Sequence, residues 1–309
     1  MPELPEVEVV RHGLQPAVTG ARITAVEVLD ERSLKRHEGP VEDFIDRLTG
    51  VRLLGAVRRG KFLWLPLEER DTASGGDPAA EPSAALVTHL GMSGQVLLRD
   101  PAAEAAPLTR IRFALEHPTH GPLRVDFVDQ RIFGSMAVDA LLPTRDGAAA
   151  GYGLPLASIP SQVAHIARAP LDPAFDERAF LRRLTGKRTT VKRALLDQTL
   201  VSGIGNIYAD EALWAARVHY DQPTETLSTR KARELLEEVR VVLRRALEEG
   251  GTSFDAQYVN VNGASGYFSH SLRAHGQQGK PCPRCGRPIV REQFMNRGSH
   301  FCRRCQRIR

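Results

Sequence analysis

The first residues of the chain combine a proline with closely spaced carboxylates, in the order Met1-Pro2-Glu3-Leu4-Pro5-Glu6. The small side chain of Pro2 permits removal of Met1, which would expose a secondary amine. The reference pKa of an α-amino group is about 8, so part of the population is uncharged at neutral pH. Such an amine can condense with the anomeric carbon of a sugar to give an iminium ion. Because many proteins begin Met-Pro without consequence, this pattern alone leaves a non-catalytic N-terminus open.

All four cysteines of the chain lie in two CxxC pairs near the C-terminus. Cys282 and Cys285 form the first pair, and Cys302 and Cys305 follow after sixteen intervening residues. Two thiolates on one tight turn can bind the same ion, and two such turns complete a tetrahedral shell around Zn²⁺. Two disulfides or a redox pair are the alternatives, which a cytosolic setting and the doubled motif disfavour. The spacing therefore predicts one structural Zn²⁺ with no open position for catalysis.

The residues between the cysteine pairs, 293–301, predict the hairpin tip of a zinc ribbon. Arg297 stands next to Gly298 in this segment, so its fork of N–H donors can come close to a phosphate. A surface charge without a function would have the same appearance.

A glycine-rich turn, Gly203-Ile204-Gly205-Asn206, joins two predicted helices. Glycines let the backbone turn tightly, and we expect Asn206 to cap the second helix. The N-terminus of that helix offers N–H groups to an anion. An ordinary helix–helix turn is the alternative, but the neighbouring basic residues favour a contact with a backbone phosphate.

Basic residues are concentrated in two parts of a chain whose net charge is only +5. Residues 271–309 hold ten Lys or Arg and one acidic residue, a net of +9, whereas the preceding 270 residues have a net of −4. A second cluster without acidic residues consists of Arg182, Arg183, Lys187, Arg188, Lys192 and Arg193. Phosphate binding needs local positive charge, so this distribution predicts a polyanionic partner. A solvated basic tail is the alternative.

The periodicity of apolar residues predicts an α+β chain with several domains. The first half is typical of strands, which we expect at 23–29, 51–57, 62–67, 85–90, 111–115 and 123–128. The second half is typical of helices, which we expect at 175–184, 191–200, 207–216 and 229–249. We expect a β-sandwich domain with an opening helix at 1–142 and an interdomain connection at 143–173. A helical domain at 174–270 and a zinc ribbon at 271–309 follow.

The sequence also argues against a membrane or secreted protein. No apolar run approaches the roughly 20 residues that span a bilayer. The N-terminus is acidic, whereas a secretory signal begins with basic residues and continues with an apolar run. We therefore expect a cytoplasmic protein with no membrane partner.

The N-terminal segment, the glycine-rich turn and the CxxC pairs together resemble the formamidopyrimidine-DNA glycosylase family of bacteria, in the same order along essentially the whole chain. The resemblance implies a β-sandwich joined to a helix–two-turn–helix domain and a zinc finger. It also implies a monomeric base excision repair enzyme that binds damaged double-stranded DNA. Such an enzyme removes oxidised purines through a Schiff base on Pro2 and then cuts the strand by β,δ-elimination.

The resemblance extends to individual site residues. It implies that Glu3 protonates the ring oxygen of the deoxyribose and that Glu6, in the first turn of the opening helix, positions the amine or shuttles protons. We expect Lys61 and Arg297 to belong to the catalytic site, where Lys61 holds a phosphate beside the lesion and Arg297 also contacts a phosphate. We expect His89, Lys192 and Asn206 to bind DNA. Met92, Arg131 and Phe133 resemble the trio that enters the helix when the damaged nucleotide is flipped out. Considered singly, Met92 and Phe133 would more often be core residues.

Three further features concern segments near this pattern. Residues 258–268 match the family's loop over the extruded base, although a plain linker would look similar. The insertion at 71–82 is longer than the family needs, and we expect it to be inert. Ile132 stands where a basic residue is common, which puts one backbone contact in doubt.

Three other functions fit parts of the sequence. An endonuclease VIII-type glycosylase for oxidised pyrimidines has the same architecture but generally begins Pro-Glu-Gly-Pro-Glu, so Leu4 and the loop after Tyr258 favour the purine enzyme. A non-catalytic zinc-containing DNA-binding protein would not need Pro2, Glu3, Glu6 and Lys61. An N-terminal-proline tautomerase would not need a zinc ribbon.

Overall fold

The computed structural model describes residues 2–69, 81–104, 106–252 and 267–308. The described residues form two compact units. The first contains Pro2 and Glu6–His165, and the second contains Glu3–Pro5, Ile166–Thr252 and residues 267–308. The expected loop at 258–268 and the insertion at 71–82 lie almost entirely outside the described residues.

The first unit contains two antiparallel sheets and two helices. Helix α1 is Leu4–Val18, whose residues from Glu6 onwards belong to this unit, and α2 is Val41–Leu48. One sheet has the order β1-β6-β7-β5, with β1 Arg22–Val28, β5 Gly94–Arg99, β6 Thr109–His117 and β7 Gly121–Asp129. The other has the order β2-β3-β4-β8-β9, with β2 Val57–Arg59, β3 Phe62–Pro66, β4 Ala84–His89, β8 Ser135–Pro143 and β9 Ser158–Pro160.

A shared apolar core holds the two sheets together. Alternate residues of β6, such as Ile111 and Phe113, are buried because successive strand side chains point to opposite faces. They belong to the same cluster as Leu63 and Leu86 of the other sheet. Full burial of one such side chain contributes about 1.5–3 kcal/mol. The predicted sandwich with its opening helix is confirmed.

The second unit is helical and ends in a β-hairpin. Its helices are α3 Glu177–Gly186, α4 Val191–Leu196, α5 Asn206–Ala215 and α6 Thr229–Glu248. The hairpin pairs β10 Val290–Phe294 with β11 Arg297–Phe301. Two helices begin at side-chain caps, since Asp176 accepts the Ala179 N–H and Ser228 accepts the Lys231 N–H. None of the described helices is long and apolar enough to cross a membrane.

Several elements differ from the sequence-based expectations. The strand expected at 51–57 reduces to isolated bridges and the short β2, while α2, β5, β8 and β9 are additional elements. Helix α4 ends at Leu196 because the side chain of Asp197 accepts the N–H of Thr199 and competes with the helix. The expected connection at 143–173 is divided, since Leu142 in β8 pairs with Ile159 in β9 and the second unit resumes at Ile166.

Candidate active site and metal centre

The Glu3 carboxylate is bound to the N-terminus of α5. Its Oε2 accepts the N–H of Gly205 at 2.6 Å, and its Oε1 accepts the N–H of Ile207 at 3.0 Å. A third N–H, from Tyr208, lies 3.4 Å from Oε2. A Cβ at position 205 would lie 2.3 Å from the Glu3 carboxyl carbon, so this contact leaves room only for glycine there. Glu3, 2% exposed, therefore takes the place of the expected Asn206 cap, and that expectation is wrong.

Pro2 and Glu6 flank the start of α1. Pro2 is buried immediately before Glu3 in the chain, and Glu6 lies in the first turn of the helix, as expected. Glu6 is only 2% exposed, and a carboxylate in this turn is favoured by the helix dipole. The segment therefore places two buried carboxylates within four residues of the candidate nucleophile.

Lys61 lies on the two-residue turn between β2 and β3, where Gly60 supplies the positive φ of 57°. The turn is held from α1, because Glu8 accepts a hydrogen bond of 2.7 Å from the Arg58 Nε. Arg58 in turn donates through Nη1 to the Gly60 carbonyl at 3.2 Å. Lys61 itself is 9% exposed. Its position is thus fixed by a buried ion pair in the same unit.

His89 ends β4 with its ring 4.7 Å from that of Phe62. Burial and the positive charges of Arg36, Lys61 and Lys35 lower its pKa to about 4. The Gly91 N–H donates to Nδ1 of this ring at 3.1 Å. The imidazole is therefore neutral at pH 7 and can offer an anion a hydrogen bond from Nε2 without a full charge.

Met92, Arg131 and Phe133 lie on two loops of the first unit and are exposed. Met92 is 46% exposed and Phe133 is 52% exposed, so neither belongs to the core. Their loops are adjacent, because a Cβ on Gly91 would lie 2.4 Å from the Phe133 carbonyl carbon. The structure thus brings Met92 and Phe133 to one surface of this unit.

Lys192 is buried, unlike an ordinary phosphate-binding lysine. Its Nζ lies 2.6 Å from Oδ1 of Asp210 and 2.6 Å from the Ser299 hydroxyl, and its side chain has no exposed surface. Burial lowers the pKa of Lys192, while the carboxylates of Asp210 and Glu3 oppose that shift. The expected DNA contact of Lys192 remains a prediction, and the observed contacts place its charge beneath the β10–β11 hairpin.

Asn206 and Arg297 are linked through the same hairpin. The Asn206 Nδ2 donates to the Gly298 carbonyl at 3.1 Å, directly after the exposed Arg297. The hairpin tip is the predicted one, with Met295 and Asn296 between the paired residues Phe294 and Arg297. The Asn206 side chain therefore connects helix α5 to the backbone next to Arg297.

Asp210 is a central residue that the sequence analysis did not identify. Its Oδ2 accepts the His300 N–H at 3.1 Å and lies 2.8 Å from Nδ1 of His275. Burial opposes its ionisation, but hydrogen bonds from both histidines and the Lys192 charge lower its pKa to about 2. The sequence signal that could have identified it is the acidic pair Asp210-Glu211 within the otherwise mostly apolar helix NIYADEALWA. Although the three side chains have ligand types that suit a metal ion, the adjacent ammonium opposes a second cation.

The four cysteines converge as expected for one tetrahedral site. Their Sγ atoms all lie within 4.8 Å of one another. All four are free thiols, so the disulfide alternative is not what the structure shows. The Trp214 indole N–H points to the Cys282 Sγ at 3.4 Å and orients that thiol. The donor set suits Zn²⁺ held without an open position.

The fold and these clusters define a two-unit protein with a candidate N-terminal nucleophile and a cysteine-rich hairpin, and comparisons with known proteins identify the class. Three family models match the chain. They describe the formamidopyrimidine-DNA glycosylase N-terminal domain at residues 1–136, the H2TH domain of the same enzymes at 166–257, and a zinc finger found in FPG and IleRS at 279–308.

Individual relatives agree with the family models. A formamidopyrimidine-DNA glycosylase of Leifsonia xyli is 63% identical over 308 residues, covering 100% of both chains. The MutM (Fpg) structure from Thermus thermophilus is 34% identical with a TM-score of 0.77, covering 99% of this chain and 98% of that one. A Lactococcus lactis FPG mutant in complex with Fapy-dG-containing DNA is 28% identical with a TM-score of 0.79, covering 99% of each. The chain belongs to the formamidopyrimidine-DNA glycosylase family.

We predict that His89 makes the stability of the protein depend on pH. Its folded pKa lies near 4, below the ordinary 6.5, so the unfolded chain binds the proton first as the pH falls. Stability is therefore full above pH 6.5 and declines toward pH 4, by about 1.4 kcal/mol per pH unit at most. Urea unfolding at pH 8 and pH 5 should show a loss of stability in the wild type that exceeds the loss in His89→Asn by about 2 kcal/mol. Equal losses in both proteins would contradict the prediction.

We predict that Cys302→Ser releases the bound zinc and abolishes DNA binding. A hydroxyl is a poor substitute for a thiolate, and the hairpin carrying Arg297 depends on the closed site. Atomic emission spectrometry should find about one zinc per chain in the wild type and close to none in the variant. Trp214→Phe is the control, because it removes a hydrogen bond to Cys282 and leaves all four thiols. A Cys302→Ser protein that keeps both its zinc and its DNA affinity would refute the metal assignment.

Proposed function

We propose that this chain is a bifunctional DNA glycosylase and AP lyase, acting as a monomer on DNA in the bacterial cytoplasm. It removes oxidised purines, such as 8-oxoguanine and formamidopyrimidines, from duplex DNA. The observation that carries the proposal is the N-terminal segment, where Pro2 precedes a Glu3 carboxylate fixed by three backbone N–H groups.

The proposed reaction begins at the Pro2 nitrogen. Its lone pair attacks C1′ of the damaged nucleotide, the glycosidic bond breaks, and the base leaves with a proton. Opening of the sugar ring converts the adduct to an iminium ion, which acidifies the proton at C2′. Loss of that proton expels the 3′ phosphate, and a second elimination expels the 5′ phosphate. Water then releases the amine from the remaining sugar fragment.

Glu3 and Glu6 are proposed to assist this reaction. Glu3 passes a proton to the ring oxygen as the ring opens. After this transfer, the N–H donors of α5 stabilise the Glu3 carboxylate beside the cationic adduct. Glu6 positions the amine from the first turn of α1.

Phosphate binding is proposed for Lys61, His89, Asn206 and Arg297. Lys61 and His89 belong to the first unit, where Arg36 and Lys35 add further positive charge. Lys192 is proposed to contribute its positive charge from beneath the hairpin, where its buried ammonium forms an ion pair with Asp210. Met92, Arg131 and Phe133 fill the space left by the flipped nucleotide.

Zn²⁺ is proposed as a structural ion held by Cys282, Cys285, Cys302 and Cys305. When bound, it crosslinks the two CxxC turns and supplies no chemistry to the reacting sugar. The residues that follow the first turn lead into β10 and the Arg297 hairpin. The ion thereby stabilises the element that presents Arg297.

A trapping experiment tests the nucleophile. Borohydride should reduce the iminium and leave a covalent adduct between the protein and duplex DNA carrying 8-oxoguanine. Pro2→Gly should lower trapping strongly, because the secondary amine is lost, whereas Pro5→Ala should trap normally. Mass spectrometry should show that Met1 is absent from the active protein.

A lesion panel in the same assay distinguishes the proposed substrate from the alternatives. Preference for 8-oxoguanine and formamidopyrimidine over thymine glycol supports the purine enzyme. Preference for thymine glycol identifies the endonuclease VIII-type activity, and tight binding without any adduct identifies a non-catalytic DNA-binding protein. Normal strand cutting by protein that keeps Met1 would remove Pro2 from the mechanism.

Glu3→Gln tests the role of the carboxylate. The amide keeps one acceptor oxygen but turns an NH₂ group toward the α5 N–H groups, so we expect a loss of about 1–3 kcal/mol in stability. Binding to damaged DNA should persist while single-turnover base release becomes at least about 100-fold slower. The exposed Glu116→Gln serves as the control and should behave as the wild type. Normal turnover of Glu3→Gln would exclude Glu3 from the chemistry.

A further inference from the structure

Asp129 ends β7 with a completely buried carboxylate that binds two different loops. One loop, residues 90–93, joins β4 to β5 and carries Met92. The other, residues 130–134, joins β7 to β8 and carries Arg131 and Phe133. The Asp129 side chain has 0% exposure, so its hydrogen bonds form in a region shielded from water, where they are strong.

Three donors converge on this carboxylate. Its Oδ1 accepts the Ser93 hydroxyl at 2.5 Å and the Arg131 N–H at 3.1 Å. Its Oδ2 accepts the Gly134 N–H at 2.7 Å. An ordinary Asx turn accounts for the bond to Arg131. It does not account for Ser93, which lies on the other loop, or for Gly134, which closes the far end of the second loop.

The two loops are also in direct contact with each other. The Ser93 oxygen accepts the Arg131 N–H at 3.2 Å. Gly91 has a φ of 61°, and a Cβ there would come within 2.4 Å of the backbone of Phe133 and Gly134. No side chain larger than hydrogen fits between these backbones. The two loops are therefore packed directly against each other.

The second loop is held in a strained conformation. Ile132 has a φ of 56°, which a β-branched residue rarely adopts. The Lys35 ammonium donates to the Ile132 carbonyl at 2.8 Å and holds that peptide from outside. Backbone strain of this kind persists where surrounding contacts over-determine it, and it clusters at functional sites. Here the contacts are those of Asp129 and Lys35.

The effect of this framework is to hold apolar groups at the surface. Met92 and Phe133 are about half exposed although their loops are fixed from the interior. We propose that Asp129 is a positioning residue that holds Met92, Arg131 and Phe133 as one preformed wedge for the gap left by an everted nucleotide. This inference rests on the proposed function, because the wedge acts only when a nucleotide leaves the duplex.

Asp129→Asn tests the inference, with Asp139→Asn as a matched control. Asp139 is a buried carboxylate of the same unit that also binds one hydroxyl, of Ser161, and one backbone N–H, of Gln162. Each variant replaces an acceptor oxygen with an NH₂ group, but only the first does so at the loops. Ser93→Ala is a milder change at the same place and covers the case in which Asp129→Asn does not fold.

The first readout compares two substrates. Asp129→Asn should lower kcat/KM on duplex DNA with 8-oxoguanine by about tenfold or more, since misplaced groups lose most of their effect. Cleavage of a single-stranded abasic oligonucleotide, which needs no eversion, should stay within about twofold. Ser93→Ala should shift the same ratio in the same direction, and Asp139→Asn should leave it unchanged. A merely structural role would lower both activities together, which would overturn the inference, as would an unchanged ratio.

The second readout needs no chemistry. Affinity for a duplex containing a tetrahydrofuran abasic analogue should fall about tenfold in Asp129→Asn relative to Asp139→Asn. Equal affinities of the two variants would overturn the inference. If the wild type proves inactive but this difference is present, the proposed function fails while the positioning role of Asp129 stands.

Discussion

The interaction on which much of the candidate site depends is the binding of the Glu3 carboxylate by the first N–H groups of α5. A helix N-terminus has four N–H groups without intrahelical partners, and here a residue about 200 positions away in sequence satisfies three of them. The contact requires glycine at position 205. Because Pro2 is bonded to Glu3, fixing this carboxylate also restricts the candidate nucleophile. The helix cap and a proposed catalytic group are thus the same side chain.

The buried ion pair of Lys192 and Asp210 extends this arrangement toward the hairpin. Removing one partner of such a pair leaves an uncompensated charge and typically costs about 3–5 kcal/mol, although the intact pair contributes little net stability. Its value here is geometric. Lys192 contacts Ser299 and Asp210 contacts His300, so two helices hold the strand that begins at Arg297. The position of Arg297 therefore depends on contacts from α4 and α5 as well as on the zinc ribbon.

Local signals made part of this site predictable. The Arg297 hairpin and the cysteine site follow from short-range spacing and turn chemistry, and the structure has them where they were expected. Asp129 and Asp210 were missed because their roles depend on partners 36 and 90 residues away, which no local pattern reveals. The Asn206 cap failed for the same reason, since a distant carboxylate already occupied the helix end. Strand β8 was also missed, because its formation depends on pairing with β4, which is a distant segment of the chain.

His89 shows why a neutral group is useful in a cationic environment. Burial lowers the pKa of His89 most, and the positive charges of Arg36, Lys61 and Lys35 lower it further, so the ring stays neutral at pH 7. The cost of gathering these charges falls when an anion arrives, because each cation then has an opposite charge nearby. A fourth full charge would add to the repulsion in the free protein. A neutral ring avoids it and keeps a directional N–H. In the proposed phosphate site, the cations would therefore supply attraction, while the uncharged ring would direct the hydrogen bond.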